Sequence, residues 1–437
     1  MRKTFSISIL LSCILLSACT VAPPQQTITP MPTNTVPPTP LPSQTALPSS
    51  TATLEPTSIP ALTPSQTATP SQHLVSEAAG DYLIYMIGRR LTFYDPAENL
   101  HVPIVPDWEV SAYSISSNNV LAFSSEHDGD LDIYLLDYPF TENEPRNITN
   151  ELDTDDRVEL WSPDGQLLVF ESKISFSQKK LSIWDGKAIS NIYEYQGHLH
   201  EYDWSIDGRL VFTESYSFTG DDKPAEIFLW DGDTVTNVSQ NPSGEDRSPV
   251  WSKDGQLVFN SCQETSCNIL VWDGISILNG LPDKSTYQNI AHDLTGYYSR
   301  PVWTSSGTLS FSSGADKIYE WDGKTVTEIS NNPNFANVGQ SWSKDGYWAF
   351  TTHYYSNEHN LYIRDVQNQT ILETKGLFTP EWSNEGYLMY CIYDRSDDGS
   401  TWTLSIWDRE SIHSVIEIDE YIWASWPNGN FVYCSNG

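Results

Sequence analysis

The sequence predicts an all-β chain, a β-propeller of eight four-stranded blades, and three observations carry that reading. The first is a pattern met eight times: Tyr113-Ser-Ile-Ser-Ser, Trp161-Ser-Pro-Asp-Gly, Trp204-Ser-Ile-Asp-Gly, Trp251-Ser-Lys-Asp-Gly, Trp303-Thr-Ser-Ser-Gly, Trp342-Ser-Lys-Asp-Gly, Trp382-Ser-Asn-Glu-Gly and Trp426-Pro-Asn-Gly. Successive starts lie 48, 43, 47, 52, 39, 40 and 44 residues apart, the period of a blade of about 40 to 45 residues. The second is another recurring turn, Trp184-Asp185-Gly186, Trp230-Asp231-Gly232, Trp272-Asp273-Gly274 and Trp321-Asp322-Gly323, with weaker copies at Asp95, Asp137, Asp365 and Asp408. The third is phase: the aspartate turns run from Asp95 to Asp408 and the tryptophan turns from Tyr113 to Trp426, so the chain enters and leaves partway through a repeat.

One repeat shows how each element arises. Pro249-Val250-Trp251 is a short apolar strand, and Ser252 to Gly255 are turn formers, with glycine free to take positive φ. Gln256 to Phe259 returns as the second strand, Asn268 to Trp272 forms the third, and Asp273-Gly274 suits a type I′ hairpin into the fourth. Seven blades are complete in this way. The eighth joins the last hairpin, around Trp426 and Phe431 to Tyr433, to the first, around Leu91 to Ile104, and closing the ring removes exposed edges. Tyr82 to Met86 also reads as a second strand and competes with Phe431 to Tyr433 for one place, so seven blades with a redundant end is the alternative.

Residues 76–437 form the propeller domain, and two segments precede it. Residues 1–19 read as a signal peptide: Arg2 and Lys3, then an apolar run from Phe5 to Leu16 too short for a permanent span. Residues 20–75 are a disordered Pro/Thr/Ser-rich stalk, which cannot bury enough apolar surface to offset its ordering entropy. The formal charge is −34, so nucleic acid or an anionic lipid surface is repelled.

Two stretches carry a family resemblance. Trp161-Ser-Pro-Asp-Gly-Gln-Leu-Leu-Val-Phe and Ser125-Glu-His-Asp-Gly-Asp-Leu-Asp-Ile-Tyr resemble the repeats of TolB-type propellers, which are WD-like repeats. The resemblance covers about 76 to 437 and is specific for fold; the family includes periplasmic binding proteins, gating domains of prolyl-oligopeptidase-like enzymes and lipoproteins. No hydrolase domain is expected, because none follows Gly437. Leu16-Ser17-Ala18-Cys19 looks like a bacterial lipobox, which implies lipidation of Cys19, secretion across the inner membrane and an anchor at the cell envelope, periplasmic or outer-surface. An ordinary secretory signal is the other reading.

The remaining cysteines and the enzyme motifs bound the chemistry. Cys262 and Cys267 could close a small hairpin disulfide, whereas Cys391 and Cys434 occupy equivalent strand positions in neighbouring repeats, a separation expected to exceed bonding reach. Gly-x-Ser-x-Gly, His-Glu-x-x-His and Gly-x-Gly-x-x-Gly are missing. Asp128-Gly-Asp130-Leu-Asp132 has calcium-like alternation without the remaining ligands and reads as a turn, and His198-Leu-His200-Glu201 has no identifiable third zinc ligand. No cofactor and no metal are expected.

Strand alternation puts both tight turns on one face of the disc and the longer loops on the other, where function tends to sit. Arg157, His200 and Arg247 each precede a repeat tryptophan by four residues, and Arg300 precedes Trp303 by three. They are expected to form a cationic sector beside the channel mouth that takes an anionic group; local pairing with Asp155, Asp156, Glu245 and Asp246 is the plainer reading. Tyr216, Phe218, Tyr354, Tyr355, Tyr393 and Trp402, with Asp221, Asp222, Asp397 and Asp398, are expected on exposed loops that could bind a protein, peptide or glycan. The expected function is a monomeric, non-catalytic scaffold for an envelope protein, peptide or glycan. The alternatives are a glycan- or lactone-processing hydrolase or lyase at the channel mouth, and a structural module displayed on the stalk.

Overall fold

The computed structural model describes residues 81–434, apart from 151–153, 176–177, 217–222, 264–265, 279, 292–297, 314–316, 331–335, 354–358, 397–398, 420, 428 and 430. The expected signal peptide, Cys19 and the expected stalk lie outside the described residues.

Eight antiparallel blades form an all-β propeller. In seven of them the strands follow chain order from the edge that begins with Val110–Ile115 (blade 1), Asp155–Trp161 (blade 2), His198–Trp204 (blade 3), Glu245–Trp251 (blade 4), Tyr298–Trp303 (blade 5), Ala336–Trp342 (blade 6) or Leu377–Trp382 (blade 7). First strands touch one another between blades 1 and 2 and from blade 3 through to blade 7, which puts them on the inner side of the ring. Blade 4 carries an extra hairpin, Ile277–Leu278 with Leu281–Pro282, before its short fourth strand Gln288–Asn289.

The repeated tryptophans build the blades. The motif tryptophan of the first strand and that of the third flank the same second-strand residue, as Trp161 and Trp184 do on either side of Leu168. Their rings meet edge to face, with centroids 6.0 Å apart for Trp161 and Trp184, 6.1 Å for Trp204 and Trp230, and 6.1 Å for Trp382 and Trp407, a geometry that adds to area burial. Between blades the core is aromatic and aliphatic, with Phe123, Phe170, Phe212, Phe259 and Phe311 buried at equivalent second-strand positions.

Both tight turns are held by side chains. In the first, Ser162 Oγ donates to Asp164 Oδ1 at 2.6 Å and accepts from Leu167 N at 2.9 Å. In the second, the Asp185 carboxylate accepts from Lys187 N and Ala188 N at 2.9 and 2.7 Å. The type I′ expectation is corrected here: only the glycine has positive φ (90° at Gly186), and the aspartate instead caps the turn through its carboxylate. The two turn types do share a face. Arg209, just after a first turn of blade 3, donates to Gly274 O in a second turn of blade 4, and Arg409 in a second turn of blade 7 pairs with Asp345 in a first turn of blade 6.

Blade 8 resolves the competition between chain ends. Its sheet runs Leu100–Ile104, Arg90–Asp95, Leu83–Ile87, Ile422–Ser425 and Phe431–Cys434, five strands instead of four. The N-terminal strand takes the second-strand place, pairing Ile84 with Ser425 on one side and Phe93 on the other. Phe431–Cys434, expected in that place, is displaced to the far edge of Ile422–Ser425, one position further inward. There it reaches blade 7, and Cys434 is bonded to Cys391 with Cα atoms 5.9 Å apart. The expected excess separation is thus corrected: a strand in the ordinary second position would have kept the cysteines a full blade apart. Cys262 and Cys267, directly opposed on neighbouring strands of blade 4, form the other disulfide.

Blade 1 carries tyrosine where its neighbours carry tryptophan because the hydroxyl stitches the closure. Tyr113 Oη donates to Ile84 O at 2.8 Å from a fully buried position. Tyr113→Phe is expected to lower stability by about 1–2 kcal/mol by leaving that carbonyl short of its donor; chemical denaturation of both proteins measures it.

Candidate functional site

The innermost strands do not run straight. In blades 1 to 7 the pairing of the first strand with the second shifts register a few residues before the motif aromatic, between Val158 and Leu160, His200 and Asp203, Arg247 and Val250, and at corresponding places elsewhere. Such bulges re-aim side chains at rims. Two need a left-handed non-glycine residue, Glu201 (φ 55°) and Ser248 (φ 57°), and they are coupled, since Ser248 N donates to Glu201 Oε2 at 2.8 Å.

All four residues of the expected cationic sector lie on these strands. His200 and Arg247 are brought together, with Arg247 Nη1 3.5 Å from His200 Nε2. Arg247 also donates to Glu245 Oε2 at 2.9 Å, and His200 contacts Ser215 Oγ at 3.1 Å and Glu201 Oε2 at 3.6 Å. Arg157 stands apart: its side chain is 61% exposed, and its nearest carboxylate, Glu159 Oε1, is 4.0 Å away. Asp155 pairs with Lys173 instead, while Asp156 and Asp246 are buried between blades. Arg300 lies on Tyr298–Trp303, and its side chain is outside the described residues. The sector alternates in charge, and among its described residues Arg157 is the most exposed cation, 61% against 40% for Arg247.

Arg157 opens onto a cavity of about 520 Å3 shared by blades 8, 1 and 2. Met86, Trp423 and Phe431 of blade 8 and Val110 and Tyr113 of blade 1 form an apolar wall; Arg89, Arg157 and Glu159 supply charge. Arg89 is set there by the two-residue turn Gly88–Arg89, with φ of 53° and 65°, between paired Ile87 and Arg90. Its guanidinium lies 3.2 Å from Glu109 and 3.6 Å from Glu126, on the long-loop side of the disc. Sequence reasoning missed Arg89, although Gly-Arg between two alternating apolar runs is a readable hairpin signal. It missed Trp423 and Phe431 because their partners come from the other end of the chain.

Beside the cavity sits a carboxylate network. Tyr195 Oη and Tyr202 Oη each donate to Glu171, both at 2.5 Å. Burial, reinforced by the neighbouring Glu171 charge, pushes the Glu159 carboxyl well above the usual range, against the opposing pull of Arg157. Glu159 is thus a carboxyl with a raised proton affinity next to an arginine.

The expected aromatic rim is not one surface. Trp402 is 2% exposed and Tyr393 packs on it with centroids 4.6 Å apart, which corrects the loop reading. Both belong to long strands of blade 7, Leu388–Ser396 and Gly399–Trp407, and the alternation of Trp402, Leu404 and Ile406 was the signal for a buried face. Tyr216 is half-buried with Lys223 4.7 Å above its ring. Tyr354, Phe218, Tyr355, Asp221, Asp222, Asp397 and Asp398 lie outside the described residues. Asp128, Asp130 and Asp132 converge, their ligand atoms within 4.8 Å of one another. The Asn147 amide reaches between two of them, donating to Asp128 Oδ2 at 3.1 Å and Asp132 Oδ2 at 2.7 Å, so a protein donor already bridges that pair.

No protein-family model matches the sequence, and neither does any curated protein. Among solved structures, two of prolyl oligopeptidase B from Galerina marginata are similar. The one bound to a 35mer hydrolysis and macrocyclization substrate has a TM-score of 0.51 at 9% identity, and the one bound to a 25mer macrocyclization substrate 0.50 at 10%. Each covers 75% of this chain and 54% of the other, so the chain spans about half the length of these structures. The propeller domain of the Trilobed protease from Pyrococcus furiosus aligns with a TM-score of 0.42 at 16% identity, over 71% of this chain and 98% of that one. At these identities the likeness is one of fold, the β-propeller found in prolyl oligopeptidase-type peptidases.

Proposed function

We propose that this chain is a TolB-type propeller lipoprotein, lipid-anchored through Cys19 outside the cytoplasm, that binds a protein, peptide or glycan at its loop-face channel mouth without transforming it. The observation that carries the reading is the cavity between blades 8, 1 and 2, where aromatic and aliphatic walls meet Arg89 and Arg157. Ligand sites are commonly concave and mostly apolar, with a few fixed polar groups. Such a lining suits an apolar or sugar body that carries a carboxylate, which guanidinium forks accept. Two disulfides agree with an oxidising compartment.

The test is a pull-down with the fragment from residue 76 paired with a glycan array. The expected outcome is a retained ligand whose affinity falls about tenfold or more in Arg157→Ala, as for a charge-assisted hydrogen bond. The raised Glu159 beside Glu171 favours one second reading, a glycan-processing hydrolase or lyase with Glu159 as proton donor. Consumption of a captured glycan, abolished by Glu159→Gln, would select it.

A further inference from the structure

On the opposite, tight-turn face, the residue after the first-turn glycine covers the motif tryptophan of the next blade in blades 3, 6 and 7. Arg209 of blade 3 lies 4.3 Å from the Trp251 ring centroid. Tyr347 of blade 6 packs against Trp382, with centroids 6.2 Å apart, and Tyr387 of blade 7 against Trp426 at 6.3 Å. Blade 5 departs from this pattern. Its residue in that position is Thr308, whose hydroxyl is tied to Glu320. Next to it, between blades 5 and 6, is a cavity of about 300 Å3 lined by Trp342 and Trp348. The two indoles are stacked, with centroids 5.4 Å apart and planes 6° from parallel. Glu320 and Asp365 bring two carboxylates to the lining, and Ser306 adds a hydroxyl; no lysine or arginine lines it. Arg364, 5.3 Å from the Trp348 centroid, is held by Asn368 and is not part of the lining.

We propose that this notch binds the guanidinium of an arginine side chain presented by a basic peptide, in the manner in which Arg209 covers Trp251 within the molecule. An indole face and two carboxylates are the recognition elements of a desolvated cation, and guanidinium is the planar cation that stacks best. The chain's formal charge of −34 steers a basic partner toward it. The notch lies on the tight-turn face and is independent of the loop-face cavity.

The test is a titration of the full chain with arginine amide, followed at the tryptophan indole N–H resonances, with citrulline amide as the neutral analogue. Arginine amide is expected to shift the Trp342 resonance saturably, and citrulline amide to leave it unmoved. Thr308→Arg, which fills the notch from within, is expected to weaken arginine amide binding about tenfold, and Glu320→Gln at least about threefold. Equal binding of the two amides overturns the proposal, as does full retention of affinity in a folded Thr308→Arg. Should that variant melt early, unchanged affinity in Glu320→Gln overturns it instead.

Discussion

Replacing both Cys391 and Cys434 with alanine is expected to remove about 4 kcal/mol of folding stability. The sequence separation of 43 residues sets that figure through the loop entropy the bond withdraws from the unfolded chain. The same reasoning gives only about 2 kcal/mol for Cys262 and Cys267, whose separation is 5. Position sharpens the difference. Cys262 and Cys267 tie two strands already paired in one sheet. Cys391 and Cys434 tie blade 7 to the extra strand of blade 8, which has a pairing partner on one side alone. Both residues of the longer bridge are fully buried among Leu404, Ile422 and Val432, and alanine avoids placing a hydroxyl there. Chemical denaturation of the double variant against wild type measures the loss, and an equal loss on removing Cys262 and Cys267 would contradict the closing role assigned to the inner strand.

The second large effect is a rise in stability on mild acidification. Asp156 and Asp246 occupy equivalent places on the first strands of blades 2 and 4 and are fully buried. Each has one carboxylate oxygen bonded, to Thr154 Oγ1 at 3.0 Å and to Asn241 Nδ2 at 3.1 Å, and Oδ2 without a partner in both. Burial therefore pushes both carboxyls up to about 6. A carboxyl whose folded value is raised holds its proton in the folded state after the unfolded chain has lost it. Its stabilising contribution is complete below about pH 4 and is lost as pH rises toward 6. Between pH 7.5 and pH 5 each group should return about 1.4 kcal/mol, roughly 3 kcal/mol for the pair. The turn aspartates oppose this further down. Hydrogen bonds from backbone N–H groups hold Asp185 and Asp322 below the ordinary carboxylate range, so their contribution fades as pH falls through about 4. Asp203, its carboxyl pushed up to about 7 by desolvation, and Glu159 add to the rise with the same sign. Maximal thermal stability is expected near pH 5, and Asp156→Asn with Asp246→Asn should reduce the rise between pH 7.5 and 5 by roughly 3 kcal/mol without abolishing it.

Much of the architecture was written in the chain because its determinants are local and repeated. The motif tryptophans and the aspartate turns are each set by a few consecutive residues, so one period revealed the blades and both faces. What escaped depended on contacts between distant segments. Tyr82 to Met86 and Phe431 to Tyr433 are both competent second strands, and only packing in the closed ring places the first beside Ile422–Ser425 and sends the other inward. That displacement brings Cys434 to Cys391 and puts Phe431 against Tyr113, with centroids 5.0 Å apart, in the wall of the cavity. Arg157 was legible because a fixed offset from Trp161 locates it on an innermost strand. Its difference from Arg247 was not, since the Glu245 contact depends on how each bulge turns its neighbours.

Binding of a ligand in the loop-face cavity without chemical change is tested in a single experiment. Wild type, Arg157→Ala and Trp423→Ala are passed over the same glycan and peptide arrays, and the mass of whatever wild type retains is determined after elution. The expected result is a retained species of unchanged mass whose binding is lost or strongly weakened in both variants. Retention unaffected by either substitution would contradict the site, and a changed mass would contradict the absence of chemistry.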